Sequence, residues 1–285
     1  MTADHRQASV LCATASGFHR MAWREWGDAR NPRVLVCVHG LSRSGSDFDD
    51  LAQALAGEYR VVCPDVAGRG ASDWLRNPAD YAVPVYVNDM VTMLARLGVE
   101  SVDWVGTSMG GLIGMLMSAL PGSPIKRLVL NDVGPVVTAV SLARIGTYIG
   151  KAPDFADFAA AEKYVRMVSA PFGPHSDAQW KKLTENVVRR QPDGRCKMHY
   201  DPAIGKAFEA AGTAKDMELW MFYDRIQCPT LVTRGAESDL LTSEAAHAMT
   251  QRGPKAKLVE FAGVGHAPTF MQADQIAVVR DYLLG

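Results

Sequence analysis

Nowhere in the 285-residue chain does an uninterrupted apolar stretch approach the roughly 18 residues of a membrane-spanning helix; runs such as Val34 to Val38 are the longest. No integral membrane segment is expected. Charge of one sign is also missing. Thirty Lys and Arg stand against 31 Asp and Glu, a formal net charge of -1, so there is no basic footprint for nucleic acid or an anionic lipid surface. Cysteine is scarce: Cys12, Cys37, Cys63, Cys196 and Cys228 form no C-x-x-C pair and no Cys/His cluster at zinc spacing. Free thiols in a reducing compartment are expected, and no metal. A dinucleotide fingerprint, a P-loop and an H-E-x-x-H motif are all lacking, so no cofactor is expected either. Met1 to Ser9 lacks the charged-then-apolar order and small-residue cleavage site of a secretory signal, which reads as a cytoplasmic start.

What remains, 48% hydrophobic and 21% charged, is the composition of a globular enzyme or binding protein with one large domain and a small-molecule partner. Strand-length apolar runs alternate with helix-period segments, the βαβ rhythm of a mainly parallel sheet covered by helices. Strands are predicted at Arg33–Val38, Tyr59–Cys63, Ser101–Val105, Arg127–Leu130, Pro229–Thr233 and Lys257–Phe261. Helices are predicted at Asp47–Leu55, Val85–Leu97, Met109–Leu120, Ser243–Thr250 and Asp274–Leu284. Phe18–Trp26 alternates as one or two antiparallel edge strands would. From about Gly134 the rhythm stops for roughly ninety residues of helical pattern with no clear strand, too long for a structureless loop, so a helical insertion is expected.

Chemistry gathers where strands end. Gly106-Thr107-Ser108-Met109-Gly110 sits between a strand ending at Val105 and a helix beginning at Met109, the setting of a nucleophile elbow. Side chains at 106 or 110 would collide with the neighbouring strand and helix. A serine hydroxyl needs a base, and of the seven histidines His266 follows the terminal strand in a glycine-bearing loop. His39, after an earlier strand, is read as shaping its loop; His5, His19, His175, His199 and His247 are read as surface or insertion residues. The orienting acid is expected at Asp239, after the strand at 229–233 and before His266 in the order Ser, Asp, His; Asp132, ending the strand after the nucleophile helix, is the alternative. Glu237 is set aside on direction. The N–H groups of Leu41 and Met109 are the expected oxyanion donors, with Gly40 letting the chain pass close to substrate and Arg43 placed to meet an anionic substrate end.

Together His39-Gly40-Leu41, Asp65-x-x-Gly68-x-Gly70-x-Ser72, Gly106-x-Ser108-x-Gly110, Asp239 and Gly265-His266 span nearly the whole chain and resemble a serine hydrolase of the α/β-hydrolase fold. The resemblance implies a mainly parallel eight-stranded sheet flanked by helices, with a core of residues 1–133 and 226–285 and an inserted helical cap at 134–225, as in esterase and lipase-like members. It also implies that the Asp65–Ser72 loop is structural, and a serine nucleophile argues against haloalkane dehalogenases and soluble epoxide hydrolases, which place Asp there. Tyr148, Phe155, Phe158, Tyr164, Phe172, Trp180, Trp220, Phe222 and Tyr223 are candidate pocket or cap-core aromatics. A carboxylesterase acting through an acyl-enzyme is the expected function. The same machinery would serve a thioester, a lactone, an aliphatic polyester oligomer or a C–C bond next to a carbonyl, and a non-catalytic ligand-binding receptor is the reading from another class. The sequence is silent on monomer against dimer.

Overall fold

The computed structural model describes residues 5–151, 153–209 and 215–285. Eight strands form one sheet: β1 (Arg6–Thr14), β2 (Gly17–Trp26), β3 (Val34–Val38), β4 (Arg60–Pro64), β5 (Val102–Thr107), β6 (Ile125–Asn131), β7 (Thr230–Gly235) and β8 (Lys257–Phe261). Their spatial order is β1-β2-β4-β3-β5-β6-β7-β8, in which β2 runs antiparallel to β1 and β4 and every other pairing is parallel.

The central strands read as unbroken apolar runs because both faces are covered. Alternation along β3 divides the core: Val34, Val36 and Val38 enter one cluster, Leu35 and Cys37 the other. The first cluster is covered by α2 (Val83–Leu97), α3 (Met109–Ser118) and a helix at Ser243–Met249, through Met90, Met93, Leu94, Ile113, Met117 and Met249. The second is covered by α1 (Asp49–Leu55) and the C-terminal helix Ala273–Leu284, through Leu51, Leu55, Val279 and Leu283. Gly98 closes α2 at φ 68, a left-handed cap that suits glycine.

Between β6 and β7 the chain forms α4 (Ala139–Tyr148), α5 (Phe158–Val168) and α6 (Asp177–Glu185). The expectation of no strand here is corrected. Asp154–Phe155, Val188–Arg190 and Cys196–Met198 form a small three-stranded sheet, and Val136–Val137 pairs with Met217–Glu218. Strands of two or three residues are too short to leave a period in the sequence. A second correction concerns His19, which is buried rather than exposed and faces Asp89 at 2.9 Å. The five cysteines are free thiols. Among the described residues no helix is long and apolar enough to cross a membrane.

Candidate active site

The carboxyl ends of β3, β5, β6, β7 and β8 converge on one edge of the sheet, where chains leaving adjacent parallel strands part and a crevice opens. Ser108 stands at the tip of the turn between β5 and α3 with φ 50 and ψ -115, a positive φ that a non-glycine residue adopts only under strain. The flanking glycines permit this turn. A Cβ on Gly106 would lie 2.3 Å from the Gly110 carbonyl oxygen, and one on Gly110 would lie 2.0 Å from that of Val38.

The imidazole of His266, in the loop after β8, bridges two groups. Its Nε2 lies 3.1 Å from Ser108 Oγ and its Nδ1 lies 2.6 Å from Asp132 Oδ2. Asp132 directly follows β6, is fully buried, and adopts φ 52, a region that Asp tolerates better than most residues. Its other contacts are donors: Gly235 N–H to Oδ1 at 3.0 Å and the Ser238 hydroxyl to Oδ2 at 2.6 Å. The buried carboxylate thus accepts three hydrogen bonds, which fix its direction.

The expectation that Asp239 orients the imidazole is overturned. Its carboxylate is 55% exposed and pairs with Arg144, whose Nη2 donates to Oδ1 at 3.0 Å and whose Nε lies 2.7 Å from Oδ2. The reason lies in the loop after β7. Glu237 N–H is tied to the Val264 carbonyl, and Ser238 turns inward to Asp132, so its successor faces out. The alternative acid of the sequence reading occupies the place beside His266. Asn131, fully buried and absent from that reading, ties three strands to the His266 loop: its amide donates to Thr107 Oγ1 and the Pro268 carbonyl, and its oxygen accepts from Thr233. A polar residue ending the apolar run Leu128-Val129-Leu130 was the available signal.

On the other side of Ser108, His39 is fully buried; its Nε2 accepts from Val66 N–H at 2.9 Å, so its Nδ1 carries the proton and donates to the Gly40 carbonyl at 2.7 Å. That carbonyl also accepts from Arg43 N–H. Because the peptide is planar and trans, the Leu41 N–H points opposite to the tethered carbonyl. Leu41's own carbonyl accepts from Arg69 Nε at 2.8 Å. Arg69 is buried over Tyr86, donates to the Ala67 carbonyl and the Tyr86 hydroxyl, and reaches Met109 Sδ at 3.6 Å. The guanidinium therefore touches both residues expected to donate to an oxyanion. Asp65 accepts from Gly45 and Ala71 N–H groups, and its carbonyl from Ser72, a closed loop in keeping with a structural segment.

Burial pushes the His39 imidazole down from 6.5 to about 4, so the native state holds it neutral. As pH falls from about 6.5 to about 4 the unfolded chain takes up a proton that the native chain refuses. Stability from this residue is full above pH 6.5 and declines by on the order of 3 kcal/mol across that window. Urea unfolding at pH 7 and pH 4.5 is expected to give a larger difference for the parent than for His39→Gln. Equal differences would remove His39 from the acid response.

A cavity of about 120 Å³ opens on Ser108 and His266. Gly40, Leu41 and Arg43 line it from the β3 loop; Arg144, Ile145 and Tyr148 from α4; Tyr164, Val165 and Val168 from α5; Phe172, Leu183, Val187, Met198 and Tyr200 complete the wall. A Cβ on Gly40 would stand 3.7 Å from Ser108 Cβ, so its absence leaves room beside the hydroxyl. Of the nine aromatics singled out in the sequence, Tyr148, Tyr164 and Phe172 line this cavity. Phe155 and Phe158 pack in a cluster with Val165 and Cys196, Trp180 packs at a tilt against His175, and Tyr223 is buried with its hydroxyl on the Met249 carbonyl. Burial raises the Tyr148 and Tyr164 phenols above their usual range, so they enter the cavity as neutral hydroxyls. Arg43 lines the cavity, yet both Asp47 carboxylate oxygens hold its guanidinium at 2.6 and 2.7 Å, which removes it as a free cation for substrate.

A serine, an imidazole and a buried carboxylate in one hydrogen-bonded line, beside a tethered loop and an apolar cavity, can perform acyl transfer. Residues 35–279 match the profile described as the alpha/beta hydrolase family. The chain belongs to the α/β-hydrolase family. Its fold and chemistry are those of an esterase-type hydrolase. It is 48% identical to a 3-hydroxybutyrate-oligomer hydrolase of Cupriavidus necator, with all of both chains covered. Among solved structures, an alpha/beta hydrolase from Novosphingobium aromaticivorans superposes with a TM-score of 0.88 at 35% identity, covering 99% of each chain. A hydrolase structure from Rickettsia typhi superposes with a TM-score of 0.92 at 31% identity, covering 98% of this chain and 99% of the other.

Proposed function

We propose that this hydrolase is a serine esterase that cleaves short oligomers of 3-hydroxybutyrate-like acids. The observation that carries the mechanism is the continuous line from Asp132 through His266 to Ser108 at the floor of the cavity. The full-length likeness to the oligomer hydrolase supports the substrate class.

In this reading Ser108 Oγ attacks the ester carbonyl carbon while His266 Nε2 takes the hydroxyl proton. Asp132 holds the imidazole by Nδ1 and stabilises its cation. The carbonyl electron pair moves to oxygen, where the N–H groups of Leu41 and Met109 receive it. Collapse breaks the ester C–O bond, and the departing alkoxide takes the proton from Nε2. Water then adds to the acyl-enzyme with the same base, releasing a 3-hydroxy acid and restoring Ser108. Residues 1–133 and 226–285 form the catalytic core, and 134–225 the cap that walls the acyl pocket. Five unpaired thiols favour a reducing, cytoplasmic setting. Residues of α4 and α5 wall the small cavity, which favours the end of a single short chain over packed polymer.

The experiment is to incubate purified protein with linear 3-hydroxybutyrate dimer and trimer, follow release of monomer by mass spectrometry, and locate a fluorophosphonate adduct by peptide mapping. Release of monomer with stoichiometric labelling at Ser108 is the expected result. Labelling and p-nitrophenyl butyrate turnover without monomer release would reject the oligomer substrate and retain the esterase. Absence of labelling would reject the serine mechanism.

A further inference from the structure

We propose that Arg144 is the binding site for the free carboxylate of the substrate's leaving group, with Asp239 serving as its resting counterion. The inference rests on the oligomer reading above, because only an ester whose alcohol half carries a free acid presents such a group. In a linear dimer the carboxylate lies on the leaving alcohol, two carbons from its oxygen, so the site that reads it must stand near Ser108 in the same cavity.

Among the described residues, two arginines line that cavity, Arg43 and Arg144, and one carboxylate, Asp47. Asp47 is already spent on Arg43: that guanidinium is 11% exposed, is gripped through two nitrogens, and also donates to the Leu183 carbonyl at 3.2 Å. An entering carboxylate would have to break a short bidentate pair to use it. Arg144 is also held through two nitrogens, at 2.7 and 3.0 Å, but it differs in its exposure and in where its partner stands. It lies one turn before Tyr148 on α4, and Arg144, Ile145 and Tyr148 face the cavity together. Its partner Asp239 is not part of the cavity wall, and the pair is 37% and 55% exposed. An ion pair this exposed contributes little to stability, so exchanging one carboxylate for another costs little. The exchange moves the guanidinium from a solvated partner to one in an apolar pocket, where its fork geometry matches a carboxylate and hydrogen bonds to charge are stronger. Asp239 thus prevents an unpaired cation at the empty pocket wall and yields to the substrate.

The test compares the 3-hydroxybutyrate dimer as free acid with its methyl ester, the same scissile bond with and without the charge. The expected result is that the parent prefers the acid in kcat/KM and that Arg144→Gln lowers this preference about tenfold or more, chiefly through KM for the acid. Arg144→Lys, which keeps the charge and loses the fork, is expected to recover part of it. A preference unchanged in Arg144→Gln, with both dimers still cleaved by the parent, would overturn the assignment of Arg144 and leave the oligomer reading standing. Cleavage of neither dimer by a parent that turns over p-nitrophenyl butyrate would overturn both. Melting curves of each variant separate loss of recognition from loss of fold, and the charge-retaining Lys variant answers the question if Gln misfolds.

Discussion

Asp132→Asn is expected to lower kcat on a short p-nitrophenyl ester by about four orders of magnitude, whereas Asp239→Asn costs less than about threefold. The difference follows from what each carboxylate touches. Asp132 accepts from Gly235 N–H, the Ser238 hydroxyl and His266 Nδ1. An asparagine there has one oxygen for these donors. With that oxygen turned to Gly235, its NH2 takes the place of Oδ2, which faces both the Ser238 hydroxyl and the imidazole, and forces Nδ1 to accept, so the proton moves to Nε2. Such a tautomer donates to Ser108 where it should accept, and the negative charge that stabilised the imidazolium is gone as well. Among the described residues, the hydrogen-bond partners of Asp239 are Arg144 and, through its carbonyl, the Ser141 hydroxyl. The measurement is kcat/KM for both variants with melting temperatures matched to the parent. The reverse ranking would move the acid to Asp239 and require the loop after β7 to adopt another path.

Ser108→Ala is expected to reduce turnover by about six orders of magnitude, to the level left by binding and oxyanion contacts alone. Removing His266 as well should cost little more, since nucleophile and base act as a unit. Ser108→Gly gives the same loss of activity with the opposite effect on the fold. With φ at 50 the serine occupies a strained conformation that glycine adopts freely, and Ala does not relieve it. Net of the extra entropy of an unfolded glycine, the Gly variant is expected to melt roughly 2–4 °C above the Ala variant. Scanning calorimetry decides this; equal melting temperatures would mean that the elbow is not strained.

The elements that local physics dictates were legible. β8 falls at the predicted Lys257–Phe261, and β3, β5 and β6 differ from expectation by a residue or two at their ends. Buried parallel strands need unbroken apolar runs and covering helices need a 3.6-residue period, and both leave their mark whatever the rest of the chain does. The Gly106-x-Ser108-x-Gly110 turn was readable for the same reason, its glycines being required by atoms a few residues away in α3 and an adjacent strand. β1 was missed, and the stretch Phe18–Trp26, expected to hold one or two edge strands, is the single strand β2; an edge strand half exposed to water carries weaker patterning.

What the sequence by itself determined is therefore the sheet, its covering helices, and the positions where strands end and reactive side chains can gather: Ser108, His266, the His39–Leu41 loop, and Asp239 and Asp132 as rival acids, of which it favoured Asp239. Which carboxylate meets the imidazole and which arginine remains exchangeable at the pocket wall were decided by tertiary structure. His266 and Asp132 are 134 residues apart, and Arg144 and Asp239 are 95 apart. No local period records such separations. They are set by the route of one loop, where Ser238 turns in to Asp132 and Asp239 turns out to Arg144, and by the short ion pair that engages Arg43 before any substrate arrives.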